Sequence, residues 1–358
     1  MIIFITVFFF LSTMLSAQNI LWEQTTIPMV EAGPKGLETL LVWPDSPGKH
    51  SLALINHGSP RDGKQRAEMT AISYLPIAME FARRGFATAV VLRRGFGSSG
   101  GDFAENYGTC DATDYKKAAL AASKDLHSAI EYLGTRPQFS LDPMIAVGVS
   151  AGGFATTALT ADWPPKGLVA AISFAGGRGS LSDNHICQQD DLTATFGFLG
   201  ARSRVPMLWV YAENDHFFNP LAAQGFLKAF NQNGGKATLF IAPSFENEGH
   251  FLFSIAGIPT WTPVLDGFLT KQNLIFVNHL LPLPIINSIK PPVQLSSSGK
   301  KAFLDFLRSP PHNAFAISKT GAYGWRSSRR TIEEAKQETL AACETNTSST
   351  CFLYALDN

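Results

Sequence analysis

Six short, nearly unbroken apolar runs recur at residues 52–56, 87–92, 144–148, 169–174, 207–211 and 238–241. Between most of them lie helix-length stretches, at 69–84, 115–133, 153–160 and 222–232. A strand apolar on both faces has to be covered on both faces, which is the condition of a parallel sheet in an α/β protein. Strand and helix in alternation build right-handed βαβ units. The expected fold is therefore α/β, with a mostly parallel central sheet and helices on both faces. A hairpin around Ile27 and 37–43 supplies antiparallel strands at one edge. In a chain of 358 residues this leaves room for one large domain and something small.

Composition narrows the function classes. Lys plus Arg equals Asp plus Glu at 29 each, so no basic excess exists to neutralise phosphates, and nucleic-acid binding is not expected. Only 16% of residues are charged and 45% are hydrophobic, ample for a large core and wrong for a disordered chain. The first residues, MIIFITVFFFLSTMLSAQN, read as a secretory signal over 1–17, cut near Ala17. An uncleaved anchor is the alternative. Beyond it no apolar run is long enough to span a bilayer, so no membrane span is expected after signal removal, and the location is secreted or periplasmic.

Residues 281–300, LPLPIINSIKPPVQLSSSGK, read as a linker between a catalytic domain at 18–280 and a small C-terminal α+β module at 301–358. In the module, Thr331 and Glu334 have the spacing of a capping box, with a helix expected over 332–342 and a strand over 352–356. Of the four cysteines, Cys343 and Cys351 are close enough in sequence for a local bridge, which leaves Cys110 and Cys187 to pair across the larger domain. Three connectivities exist, and four reduced thiols remain the alternative. No Cys/His cluster has zinc-binding spacing, so no metal and no cofactor are expected.

The chemistry centres on Gly148-Val149-Ser150-Ala151-Gly152, which follows one apolar run and precedes a helical stretch. A G-x-S-x-G turn there holds a serine in a strained elbow, with a helix N-terminus behind it to favour developing negative charge. A serine needs a base to deprotonate it, and in such an elbow the chain order is Ser, acid, His. His250 lies in the loop beyond the last strand, where the base belongs, while His216 neighbours the acid candidate as a surface or orienting residue. Asp215 leaves the strand at 207–211 where a carboxylate can orient the imidazole; Glu213 is its rival. Two backbone amides must face the oxyanion, those of Ala151 and Ser59. Pro60 has no amide to offer. His57 is expected to pack structurally beneath that loop. Residues 176–204 are long for a connection and are expected to form a lid or pocket wall tethered through Cys187, or else a surface excursion.

His57-Gly58, Arg94-Gly-Phe-Gly-Ser-Ser-Gly100, Gly148-Val-Ser150-Ala-Gly152, Asp215 and Gly249-His250 together resemble the α/β-hydrolase superfamily, most closely its dienelactone hydrolase and prolyl-oligopeptidase-like esterase branch. The resemblance covers about 37–275. It implies a serine esterase with Ser150, Asp215 and His250 as triad, acting on a small-molecule ester. Dienelactone hydrolases proper carry a cysteine where this chain has Ser150, so the resemblance extends to ester hydrolysis and not to the dienelactone substrate. Alternatives are a serine peptidase of prolyl-oligopeptidase type and a non-catalytic hydrolase-like binding protein, with the C-terminal module as an attachment or capture unit for an unknown partner.

Overall fold

A computed structural model describes residues 19–284 and 289–357; the expected signal at 1–17 lies outside the described residues. One eight-stranded sheet organises the larger part. A hairpin of β1 (Ile20–Met29) and β2 (Gly33–Pro44) is followed by β3 (His50–Asn56), β4 (Ala87–Val91), β5 (Phe139–Val149), β6 (Leu168–Phe174), β7 (Pro206–Ala212) and β8 (Lys236–Ala242). Their spatial order is β1-β2-β4-β3-β5-β6-β7-β8. The first two pairings are antiparallel and all the others parallel, as the apolar runs imply.

Six helices cover the sheet: α1 (Leu75–Ala82), α2 (Tyr115–Gly134), α3 (Ala151–Leu159), α4 (Gln189–Gly200), α5 (Pro220–Gln232) and α6 (Ile258–Lys271). Successive strand residues point to opposite faces. Met207, Trp209 and Tyr211 accordingly share a core with Phe154 of α3, Phe196 of α4 and Phe226 of α5. Leu208 and Val210 enter the other layer, with Phe81 of α1 and Trp261 of α6. Each such large buried side chain contributes roughly 1.5–3 kcal/mol.

The structure departs from expectation in helices α1, α4 and α6, and α4 falls inside the 176–204 segment expected as a lid, pocket wall or surface excursion. The helix expected from residue 69 starts at Leu75, where Pro76 in the first turn presets the helical φ. Ahead of it lie two 3₁₀ turns, Gly63–Glu68 and Ala71–Tyr74, separated by extended backbone at Met69 and Thr70. Helix α6 was not expected at all. Its Pro259 and Pro263 disguise it, although a first-turn proline is tolerated and Pro263 removes only one intrahelical bond.

The module contains α7 (Ser297–Leu307), β9 (Ala314–Ser318), β10 (Tyr323–Arg326), α8 (Ile332–Glu344) and β11 (Cys351–Leu356), with an antiparallel sheet ordered β10-β9-β11. Phe303, Phe306, Phe315 and Ile317 form its core. The serine run expected as linker begins a helix instead, because Ser296 accepts the Gly299 amide at 3.1 Å as an N-cap. Thr331 caps α8, but Glu334 reaches one residue further back than a capping box requires, to the Arg330 amide at 2.9 Å. Disulfides join Cys110 to Cys187 and Cys343 to Cys351, with Cα separations of 5.2 and 6.1 Å. Among the described residues no helix is long and apolar enough to cross a membrane.

Candidate active site

Ser150 is the single residue between β5 and α3, at φ 55° and ψ −123°. A β-carbon-bearing residue held at positive φ stores strain, and the surroundings impose it here. A Cβ on Gly148 would lie 2.1 Å from the Gly152 carbonyl oxygen, and one on Gly152 would lie 2.0 Å from that of Asn56. The two glycines let helix, elbow and β3 close on one another. The Ser150 amide is held by the Phe174 carbonyl at 2.9 Å, and its own carbonyl accepts from Gly177 at 3.1 Å.

Asp215 leaves the end of β7 fully buried. Its Oδ1 accepts the amides of Phe217 and Phe218, both at 2.8 Å, and its Oδ2 faces His250 Nδ1 at 3.2 Å. Glu213, the rival, turns to Ser244 and accepts from its amide and hydroxyl at 3.3 Å. His250 sits in a short 3₁₀ turn and lines, with Ser150 and Ser59, a cavity of about 600 Å³ whose wall is largely apolar and includes Met69, Phe251 and Phe253. The structure thus brings Ser150, Asp215 and His250 to one rim of the sheet.

Sequence reasoning did not anticipate what fixes the imidazole. Glu248 Oε1 accepts the amides of both His216 and His250 at 3.0 Å, and its Oε2 lies 3.1 Å from His216 Nδ1. One carboxylate therefore ties the loop of Asp215 to the loop of His250, with the partly exposed His216 side chain against it. The His250 ring stacks on Phe217, with centroids 4.0 Å apart and planes 7° apart. The Arg61 guanidinium lies 3.5 Å from the same Phe217 centroid. Two groups that close occupy opposite faces of one ring, so arginine, phenyl and imidazole form a sandwich. Arg61 also reaches Asp183 at 3.0 Å and Ser180 Oγ at 3.0 Å.

The loop after β3 crosses the elbow directly. A Cβ on Gly58 would stand 3.3 Å from Ser150 Cβ, so Gly58 and Ser59 pass against the serine. The Ala151 amide is the first of α3 and has no partner within its own helix. His57 is structural, as expected. Its Nδ1 donates to the Gly58 carbonyl at 2.6 Å and its Nε2 accepts the Arg93 amide at 3.0 Å, a pattern that only the neutral Nδ1–H tautomer satisfies. Burial, then the nearby Arg93 and Arg178 charges, push its pKa well below the usual 6.5.

A second, smaller cleft of about 170 Å³ opens on the other side of Arg61, lined by Ser150, Ala151, Arg66, Arg178 and Ser180. Residues 177–181, at the start of the 176–204 segment, line one side of it; a short hairpin at 180–186 then precedes α4, and α4 itself packs into the core. Arg178 and Arg93 share a single buried carboxylate, Glu105. Burial, then the neighbouring Arg93 and Arg66 charges, lower Arg178 to about 9, while burial alone lowers Arg93 to about 10 against the attraction of Asp125, which leaves both cationic at neutral pH. Arg178 Nε is buried without a partner. Arg66 lies 3.9 Å over the Phe103 ring and pairs with no carboxylate among the described residues. Nor, among the described residues, is any group of three or more His, Cys, Asp or Glu side chains arranged to hold a metal.

No protein-family model matches the chain, and no curated protein sequence matches it. Solved structures do. The acylaminoacyl peptidase of Pyrococcus horikoshii superposes with a TM-score of 0.50 at 15% identity, over 75% of this chain and 43% of its own. This chain has the α/β-hydrolase fold. The esterase Pf2001 of Pyrococcus furiosus is also similar, with a TM-score of 0.46 at 14% identity over 71% of this chain and 90% of its own. Ser150 stands between β5 and α3, where this fold makes its strand-to-helix elbow, and Asp215 and His250 follow it in the chain.

Proposed function

We propose that the protein is a serine hydrolase of carboxylic esters. The observation that carries the reading is the strained Ser150 sharing one cavity with a His250 whose far nitrogen rests on a buried Asp215. With Nδ1–H held by Asp215, Nε2 is the basic nitrogen and can take the Ser150 proton. Ser150 Oγ attacks the ester carbonyl, the oxyanion settles on the amides of Ser59 and Ala151, and His250 returns the proton to the departing alkoxide. Water then repeats the sequence on the acyl-enzyme, releasing the acid and restoring the serine. No cofactor enters any step. A fluorophosphonate probe should label the protein at Ser150 alone, located by peptide mass spectrometry. Absence of labelling together with absence of ester turnover would remove the reading and favour a hydrolase-like binding protein. Proline-containing peptides run in parallel separate an esterase from a peptidase.

The arginine-lined cleft supports a preference among esters. One flank of the serine is apolar and roomy; the other is narrow and cationic. An ester carrying a carboxylate on the arm that enters the cationic cleft gains charge-assisted bonds from Arg66 and Arg178. Hemisuccinyl p-nitrophenol should therefore exceed the butyryl ester in kcat/KM by roughly tenfold or more, the worth of one or two such bonds. Arg66→Gln should erase most of that ratio while sparing the neutral ester. Equal kcat/KM for the two esters in the unaltered enzyme would sink the preference. Export fits the two disulfides, which persist in oxidising compartments.

A further inference from the structure

Residues 63–74, between β3 and α1, have two working faces. Inward, Gln65, Met69 and Tyr74 line the larger cavity, and the Tyr74 hydroxyl accepts the Gly58 amide at 3.4 Å, in the loop that carries Ser59. Outward, the segment meets the C-terminal module. Arg330 Nη2 donates to the carbonyls of Ala67 at 2.6 Å and Met69 at 3.3 Å, and the Thr70 hydroxyl donates to the Ser328 carbonyl at 2.7 Å.

The catalytic domain grips this segment on either side of that contact, through the Gly97 amide on the Arg66 carbonyl at 2.8 Å and the Ala71 amide on Glu38 Oε1 at 2.7 Å. Between those anchors, among the described residues, the long-range hydrogen bonds of 67–70 go to the module. The turn that makes them is itself rigidly held. Glu334 accepts the Arg330 amide at 2.9 Å and stands 3.9 Å from its guanidinium, and Arg329 Nε donates to Glu338 at 2.6 Å. Two 3₁₀ turns joined by extended backbone have few bonds of their own with which to keep one shape.

We infer that Arg330 is a positioning residue for the substrate cleft, so that the C-terminal module shapes the wall against which the longer apolar arm of the ester lies. The inference rests on the ester-hydrolase reading of the site for its substrate, though not for the clamp itself. Arg330 touches no reacting atom; it acts through Met69 and, by way of the segment, through Tyr74. A short acyl group does not reach that wall and is indifferent to it.

The test uses the full chain. Arg330→Met keeps the aliphatic stem and removes the donors. It should raise KM for an octanoyl p-nitrophenyl ester about fivefold, the worth of roughly one such hydrogen bond, and leave kcat and the acetyl ester within about twofold. Amide hydrogen exchange over 67–74 should accelerate in the same variant, and Arg330→Lys should restore most of the protection. Thr70→Val cuts the clamp from the other side and should act in the same direction. Unchanged exchange over 67–74 with an unchanged chain-length profile in both variants would overturn the inference. If no ester is turned over and Ser150 is not labelled, the reading of the site has failed, and the exchange measurement still decides for or against the clamp.

Discussion

Asp215→Asn should lower kcat for ester hydrolysis by roughly 10⁴-fold while the protein folds normally, because the substitution forces the wrong imidazole tautomer. The direction of that failure follows from the carboxylate's surroundings. Asp215 Oδ1 accepts two backbone amides, from Phe217 and Phe218 at 2.8 Å. An asparagine must put its oxygen there, since an amide NH₂ cannot accept, and its NH₂ is then turned toward His250 Nδ1. That nitrogen becomes the acceptor, the proton moves to Nε2, and Nε2 can no longer take a proton from Ser150. Glu213→Gln is the control. Its carboxylate serves Ser244, so turnover should stay within a few-fold of the unaltered enzyme. Steady-state kinetics on one activated ester, with circular dichroism to verify folding, reads both. An Asp215→Asn enzyme within tenfold of the parent would place the orienting acid elsewhere.

The strands of the sheet were legible because a parallel strand buried on both faces leaves an unbroken apolar run. Legibility faded where that cause was absent. At the sheet edge, β8 extends two residues earlier than its apolar run, and its residues from Lys236 to Ile241 alternate between exposed and half-buried. Proline hid α6, and Met69 and Thr70 broke the expected first helix because their polar groups are engaged elsewhere, Thr70 with Ser328 and the Met69 carbonyl with Arg330. Serines 296–298 looked like linker by composition, yet one of them caps a helix, a role decided by the apolar Phe303 and Phe306 that follow.

In the candidate site, Ser150, Asp215 and His250 could be picked out locally, since the nucleophile, acid and base proposed for them each need a particular residue type at a particular strand end. What surrounds them could not. Glu248, two residues before the histidine, differs from any surface glutamate only once His216 is folded against it. Arg61 and Phe217 are far apart in the chain and meet over the imidazole only in three dimensions. Pairings of that kind carry no periodicity and no motif.

The largest stability effect belongs to another such pairing. Glu105 is fully buried between Arg93, also fully buried, and Arg178, which is 5% exposed. Two cations to one carboxylate is already an expensive arrangement away from water, and removing the carboxylate leaves both uncompensated. Glu105→Gln should therefore cost about 3–5 kcal/mol, a drop of roughly ten degrees in melting temperature for a protein of this size. The damage should also reach the site. Arg93 supplies the amide that holds His57 Nε2, and its guanidinium donates to the His57 carbonyl at 3.0 Å, so a displaced Arg93 releases the loop that carries Ser59. Coupling is the sharper test. Adding Arg178→Met to Glu105→Gln removes one of the two stranded cations, and the double variant should melt above the single one, although it carries two substitutions instead of one. A Glu105→Gln protein that melts with the wild type would mean that the two guanidinium groups find water or another anion, and that the carboxylate is not what holds them in place.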